Sequence, residues 1–193
     1  VGYTLDAARS AVDLSRTGKV KHPEAAPVEQ EFPRAVGHHG AAASAMRKVI
    51  AELHAGRVLD ARLVNDAVSG LTESVLRNPD AMLLFTQLQE KDDYTLSHAL
   101  DVSVYMTAFG RFLEMPREDV ALLGHLGLLQ DIGKVRLPNE LLAKRERLAP
   151  EEFELAKQHV LYSVQILQSA RGLPPELPAL AALHHERHDG SGY

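Results

Sequence analysis

The sequence contains no cysteine. This absence excludes disulfide bonds, thiolate metal ligands and cysteine nucleophiles, so any bound metal must be held by imidazole and carboxylate groups. The sequence also lacks an apolar run of the roughly 20 residues that a membrane-spanning helix needs. Its N-terminus lacks the basic, apolar and small-residue order of a signal peptide. We therefore expect a soluble, cytoplasmic protein segment.

An excess of basic residues is missing as well, because the formal net charge is −5 at pH 7. Broad binding of nucleic acid requires lysine and arginine clustered along one face, so we do not expect DNA as a partner. A small anionic ligand remains compatible with this composition, since it needs only a local cationic pocket.

The pattern of apolar residues predicts an all-α fold. Alternation of period two is nearly absent, and β-branched residues are sparse. Residues 1–36 mix Gly, Pro and charged residues without a sustained period and predict an irregular arm or the remnant of a preceding domain. Apolar residues at intervals of three and four then predict helices in "AAASAMRKVIAELHAG", "DARLVNDAVSGLTESVLRN" and "PDAMLLFTQLQ" and over 94–113, 117–131, 150–170 and 175–187.

These helices suggest a division into three parts. Residues 1–36 form the arm, 37–90 contain N-terminal helices that pack on the main domain, and 91–193 form the main domain. The chain starts at Val1 and stops directly after a Gly-Ser-Gly turn. We expect both ends to be cuts in a longer protein.

Histidines occur where three of the predicted helices should face the core. The spacing aligns His98 with Val102, Tyr105 and Phe109, His159 with Ala156, Ser163 and Ile166, and His184, next to His185, with Leu177 and Ala181. Taken singly, each is more often a hydrogen-bonded core histidine than a ligand. Together with Asp131 they form a better metal pocket than a hydrophobic core, suited to Fe, Mn, Zn or Mg. The other histidines are interpreted as structural or surface residues: His22, His38, His39, His54, His125 and His188.

Three stretches in this order resemble the HD-GYP domains, a bacterial branch of the HD hydrolases that degrade cyclic di-GMP. They lie within about residues 91–193 and read "YTLSHALDVSVY", "GLLQDIGKVRLPNELLAKRERLAPEEFELAKQHVLYSVQIL" and "LAALHHERHDGSGY". The most specific pieces are "DIGK", the "LLAK…L…EE" run with its following histidine, and "HHE" followed by "DGSGY". The resemblance implies a helical bundle of the HD type that carries a metal cluster.

The resemblance also assigns roles to individual residues. Binding positions correspond to His98, Gln130, Asp131, His159, His184 and His185, with a further aspartate supplied by a helix after the GYP motif. In such domains the aspartate equivalent to Asp131 bridges two metals, an activated water attacks phosphorus, and the lysine equivalent to Lys134 helps to hold the phosphate. The segment with Gly190, Gly192 and Tyr193 belongs to a surface contacted by partner domains, including diguanylate cyclases. Alternatively, Lys134 is a solvated lysine after a helix, and the glycines serve a tight turn.

The sequence departs from the family pattern at two points. Gln130 replaces the histidine of the HD pair, and the chain ends before the GYP proline and the late aspartate. By analogy, both changes affect the first metal, which would use His98, the HD histidine, Asp131 and the late aspartate. The second metal keeps Asp131, His159, His184 and His185. Because a neutral amide is a weak ligand, we expect one divalent ion rather than two, with Fe or Mn favoured.

Two functional hypotheses follow from these motifs. The first is a phosphodiesterase in bacterial second-messenger signalling that hydrolyses cyclic di-GMP or linear di-GMP, weakened by Gln130. The second is a catalytically inactive receptor or scaffold that binds cyclic di-GMP or a signalling protein. Efficient hydrolysis by this chain is doubtful, and a homodimer is compatible with the sequence. A plain helical interaction domain would leave the "HHE…DGSGY" match unexplained.

Overall fold

The computed structural model describes residues 18–89 and 94–193. Within these residues it contains eight α-helices, one 3-10 helix and no β-strand, which confirms the predicted all-α class. The helices are α1 Val28–His54, α2 Ala61–Arg77, α3 Pro79–Leu88, α4 Tyr94–Phe112, α5 Arg117–Leu129, the 3-10 helix Ile132–Arg136, α6 Asn139–Leu142, α7 Pro150–Ser169 and α8 Leu177–Ala181. None of the helices in this part of the chain combines the length and apolar character that crossing a bilayer requires.

Helix α1 begins earlier than the sequence predicts. Residues 28–36, assigned to an irregular arm, are helical, so the arm prediction is wrong for them. Pro33 lies inside this helix and removes one N–H donor. This part of the helix is held by hydrogen bonds from Ser74 and Arg77 to the Glu31 carboxylate and by burial of Ala35 in the core. The arm predicted for residues 1–17 lies outside the described residues.

The core joins all major helices in a single apolar cluster. Helix α2 shows why it forms, because Val64, Val68, Leu71 and Val75 recur at intervals of four and three and are all fully buried. This face packs mainly on α1, while α4 packs mainly on α5. Burial of each large apolar side chain contributes roughly 1.5–3 kcal/mol. The cluster therefore provides a rigid base for the turns at the ends of α5 and α8.

The end of α5 is fixed against α7 through a glycine. The N–H of Gly133 donates a hydrogen bond of 2.8 Å to the Ser163 hydroxyl oxygen. A Cβ atom at Gly133 would collide with the backbone of His159 and Ser163, so only glycine permits this approach. Asp131, two residues before Gly133, is thereby held beside the middle of α7.

Helix α8 is shorter than the predicted helix 175–187, since it ends at Ala181. The Nδ1 atom of His184 lies 2.7 Å from the Ala181 carbonyl oxygen and occupies an acceptor that a continuing α-helix would use. The backbone continues instead in tighter turns, with the N–H of Glu186 donating to the Leu183 carbonyl. His184 and His185 therefore lie in a turn that follows the helix.

Candidate metal centre

Four side chains converge on one point at the ends of these elements: Asp131, His159, His184 and His185. Their potential ligand atoms all lie within 4.8 Å of one another. The His159 Nε2 atom is 3.1 Å from His184 Nε2 and 3.2 Å from His185 Nε2. It is also 3.1 Å from the Oδ1 atom of Asp131. The structure thus brings together the residues that the sequence predicts for the second metal.

Backbone carbonyls orient two of the imidazoles. The Nδ1 atom of His159 lies 2.7 Å from the Ala156 carbonyl oxygen, and His184 makes the equivalent contact with Ala181. Because a carbonyl oxygen only accepts hydrogen bonds, each Nδ1 carries the proton. The Nε2 atom of each neutral ring then presents a lone pair to the centre. Metal-binding histidines are usually oriented by partners of this kind.

The donor set fits a divalent cation. Nitrogen lone pairs facing one another at about 3 Å repel unless a cation lies between them. Among the residues that the structure describes, the buried Asp131 Oδ1 atom has no hydrogen-bond partner, and its contact with His159 carries no proton when Nδ1 is protonated. A buried carboxylate oxygen without a partner is costly. A metal bound to three nitrogens and this oxygen would satisfy every one of these groups.

The protonation states of the cluster also suit metal binding. Burial alone would raise the pKa of Asp131, but the Lys134 ammonium, 2.9 Å from its Oδ2 atom, holds that pKa well below its usual range. Burial, together with the neighbouring His184 and His159, lowers the pKa of His185 to about 4. Near neutral pH the carboxylate is ionised and the His185 ring is neutral, as ligands must be.

The second carboxylate oxygen of Asp131 faces different groups. Its Oδ2 atom lies 2.9 Å from the ammonium nitrogen of Lys134 and 3.9 Å from His98 Nε2. The His98 side chain is 42% exposed and lies outside the four-residue cluster. Gln130 ends α5, where its N–H donates to the Leu126 carbonyl, and it is not part of the cluster either.

The core-facing stripe predicted for His98 is wrong. Tyr105 and Phe109, which share that stripe, are 46% and 58% exposed. The buried face of α4 carries small polar residues among its apolar ones, and Ser103 donates a 2.8 Å hydrogen bond to the Gly124 carbonyl of α5. Close packing against glycines of α5 favours small side chains there, which leaves the aromatic residues outside. The apolar pattern alone therefore indicated the opposite face.

His125 is a neighbouring imidazole that could in principle replace the missing histidine. Its Nε2 atom lies 2.9 Å from the Asn65 amide oxygen, and its Nδ1 atom lies 2.8 Å from the Ala121 carbonyl. The ring is therefore engaged between α2 and α5. This geometry agrees with the structural role that the sequence assigns to His125.

Three aromatic or cationic side chains complete the surroundings of the centre. The Tyr193 ring stacks on His185 with 4.6 Å between ring centroids, and Phe153 meets Tyr193 edge-on at 5.9 Å. The Lys157 ammonium lies 5.0 Å and 5.4 Å from the Phe153 and Tyr193 centroids. The sequence reasoning did not single out Phe153 or Lys157. Their spacing of four residues, in the same helix as His159, is the signal that could have indicated them.

Comparison with known proteins agrees with this geometry. Residues 64–193 match the HD domain family. Because this match covers more than half of the chain, the chain belongs to that family, and the resemblance to HD-GYP domains is confirmed. No solved structure gave a significant match.

Curated relatives carry phosphodiesterase names. The chain is 33% identical over 171 residues to a cyclic di-GMP phosphodiesterase of Pseudomonas aeruginosa, covering 89% of the chain and 41% of that protein. It is 31% identical over 111 residues to 3'3'-cGAMP-specific phosphodiesterase 2 of Vibrio cholerae, covering 57% and 21%. It is 48% identical over 66 residues to a cyclic di-GMP phosphodiesterase of Thermotoga maritima, covering 34% and 18%. The chain thus spans less than half the length of each of these relatives.

Proposed function

We propose that this chain is the HD-GYP-type part of a metal-dependent phosphodiesterase that acts on cyclic di-GMP or linear di-GMP. The observation that carries this proposal is the convergence of Asp131, His159, His184 and His185 around a buried carboxylate oxygen that lacks a hydrogen-bond partner in the described part of the chain. The names of the relatives support the substrate class. Turnover is weakened because Gln130 replaces a histidine at a ligand position.

We propose a single divalent ion, Fe or Mn, held by Asp131, His159, His184 and His185. When bound, such an ion supplies Lewis acidity, which activates water and neutralises charge that develops on a phosphoryl group. Within the described residues, His98 is the imidazole near the Oδ2 atom of Asp131, and the amide at position 130 is a weak ligand, so we propose no second tightly held ion.

Lys134 is proposed to clamp the phosphate. Its side chain is 28% exposed, and it borders a cavity that is also lined by His159, His185 and Tyr193. From its place on Asp131 Oδ2, the ammonium group can reach toward a phosphate oxygen in that cavity. The stacked Tyr193 ring keeps His185 in position and reduces the access of water to one face of the imidazole.

A receptor or scaffold is the second candidate function. The observation in its favour is the contact between Lys134 and Asp131 Oδ2, since this ammonium neutralises the oxygen that would face a second cation. With a neutral amide in place of an imidazole at position 130, one ion together with Lys134 balances the charge of Asp131. Two points about partners remain predictions. One is the contact of a diguanylate cyclase or another signalling protein with Gly190, Gly192 and Tyr193, and the other is a homodimer.

Parallel measurements of binding and turnover distinguish these functions. Cyclic di-GMP is incubated with the protein and Mn²⁺ or Fe²⁺, products are separated by chromatography, and binding is measured by calorimetry. Hydrolysis that disappears in Asp131→Asn but persists in the exposed control Asp189→Asn supports the phosphodiesterase. Binding without hydrolysis establishes the receptor, and the absence of both refutes the proposed function.

A further inference from the structure

A cavity of about 640 Å³ lies beside the candidate metal centre and has no role in the chemistry above. It is lined by Arg147, Leu148, Pro150 and Phe153. Leu148 also lines the cavity of about 300 Å³ that contains His159 and His185, so the two cavities are neighbours. The larger cavity falls within the volume range of small-ligand pockets.

Aromatic rings connect the metal centre with this larger cavity. His185 stacks on Tyr193, Tyr193 contacts Phe153, and Phe153 lines the cavity. The Phe153 side chain is 45% exposed, which leaves ring surface open to a ligand. The cavity therefore lies one aromatic ring beyond the tyrosine that packs on the centre. A planar group attached to a phosphate at the centre could stack there.

Arg147 gives this cavity a polar group that can recognise a base. It is exposed, and within the described residues its guanidinium has neither a hydrogen-bond nor an ion-pair partner. A guanidinium donates two parallel hydrogen bonds to O6 and N7 of guanine, an edge that adenine does not present. Leu148 and Pro150 supply the apolar walls that such a base would contact.

We propose that this cavity binds a guanine base of a cyclic dinucleotide whose phosphate lies beside Lys134. Phe153 stacks on the base and Arg147 reads its O6 and N7 edge. This inference rests on the proposed function. It adds the residues that would distinguish a guanine nucleotide from other nucleotides. An apolar peptide would not use the Arg147 guanidinium, and the continuity with the phosphate cavity favours a nucleotide.

The test compares four variants of the full chain in the presence of Mn²⁺. Calorimetry measures the affinity for cyclic di-GMP and for cyclic di-AMP, which lacks guanine, and chromatography verifies that each ligand stays intact. Phe153→Ala should weaken binding of both ligands about tenfold or more, because base stacking is lost, while Phe153→Trp should retain it. Arg147→Ala should weaken cyclic di-GMP about tenfold and leave cyclic di-AMP nearly unchanged. Arg145→Ala removes the same charge from the same loop and should resemble the wild type.

The outcomes separate this inference from the proposed function. If the wild type binds cyclic di-GMP but Arg147→Ala binds it as tightly as Arg145→Ala, the base subsite is refuted and the phosphodiesterase proposal stands. If the wild type binds neither dinucleotide, both proposals fail. Metal content is measured in parallel, and if Phe153→Ala loses its metal, the comparison of Arg147→Ala with its control Arg145→Ala decides.

Discussion

Asp131 is the residue on which the candidate centre depends, because its two oxygens serve different neighbours. Oδ1 faces the imidazoles at 3.1 Å and 3.5 Å, and Oδ2 faces the Lys134 ammonium at 2.9 Å. The carboxylate therefore joins the proposed metal site to the proposed phosphate clamp. Removing its charge should affect both.

Asp131→Asn preserves the size of the side chain and removes its negative charge. We expect the affinity for Mn²⁺ to fall by more than about a hundredfold, since even residues outside the ligand set can change affinity ten- to a hundredfold. Equilibrium dialysis with elemental analysis measures the change. Asp189→Asn is the control, because Asp189 is an exposed acidic residue outside the four-residue cluster. Equal metal binding by both variants would contradict the proposed site.

Gln130→His restores the histidine that the family resemblance implies. In a longer chain that also supplies the late aspartate, we expect a second bound ion and a gain of around a hundredfold in cyclic di-GMP hydrolysis, because two metals activate water and clamp the phosphate. In the 193-residue chain the gain should be much smaller. Adding His98→Ala should abolish the second ion. A two-metal protein that remains inactive would favour the receptor function.

At the scale of elements, the centre depends on a close contact between the 3-10 helix and α7. Gly133→Ala should place a methyl group against the backbone of His159 and Ser163. Overpacking of this kind costs about 1–3 kcal/mol of unfolding free energy, and it should also weaken metal binding by displacing Asp131. Urea denaturation and metal titration measure the two effects.

Gly40→Ala is the matched control for that glycine. Gly40 lies in α1, and nothing is within 4 Å of the position of an added Cβ. Because glycine inside a helix costs about 0.5–1 kcal/mol relative to alanine, this variant should be slightly more stable than the wild type. Destabilisation by both variants to the same degree would argue against a specific role of Gly133.

The helices and their apolar faces were predictable to different degrees. The buried positions of α2 follow a simple helical period, and the burial of His159 agrees with the predicted alignment, whereas His184 lies in the turn after α8. The exposed face of α4 was not predictable, because its orientation depends on close packing against glycines of another helix. The end of α8 depends on a histidine that binds a backbone carbonyl. Such contacts between distant or irregular segments leave no periodic signal.

At the scale of the whole molecule, the N-terminal helices share one core with the part that matches the family. The match begins at residue 64, but Met46 and Val49 of α1 belong to the same apolar cluster as Leu177. A buried ion pair adds to this contact. Glu31 of α1 is fully buried and accepts hydrogen bonds of 2.8 Å and 2.9 Å from Arg77 of α2. We therefore expect α1 to unfold together with the rest of the core.

Glu31→Gln tests this coupling through its pH dependence. Burial would raise the pKa of Glu31, but the hydrogen bonds from Arg77 and Ser74 outweigh it and lower that pKa below the ordinary value of 4.5. A depressed carboxyl pKa contributes stability that is present above the unfolded-state pKa and is lost as the pH falls through the folded-state pKa. At pH 7 the variant should be about 1–3 kcal/mol less stable, because Arg77 keeps the more distant Glu73 but loses its charged acceptor inside the core.

The difference in unfolding free energy between the wild type and Glu31→Gln should therefore shrink as the pH falls below about 4.5, the ordinary pKa of a glutamate carboxyl group. Urea denaturation at several pH values measures it, and Glu29→Gln, an exposed neighbour in the same helix, controls for the change in net charge. Other buried carboxylates such as Asp131 titrate equally in both proteins, so the difference isolates Glu31. If the difference in unfolding free energy stays constant down to pH 3, the charge of the ion pair does not couple α1 to the core.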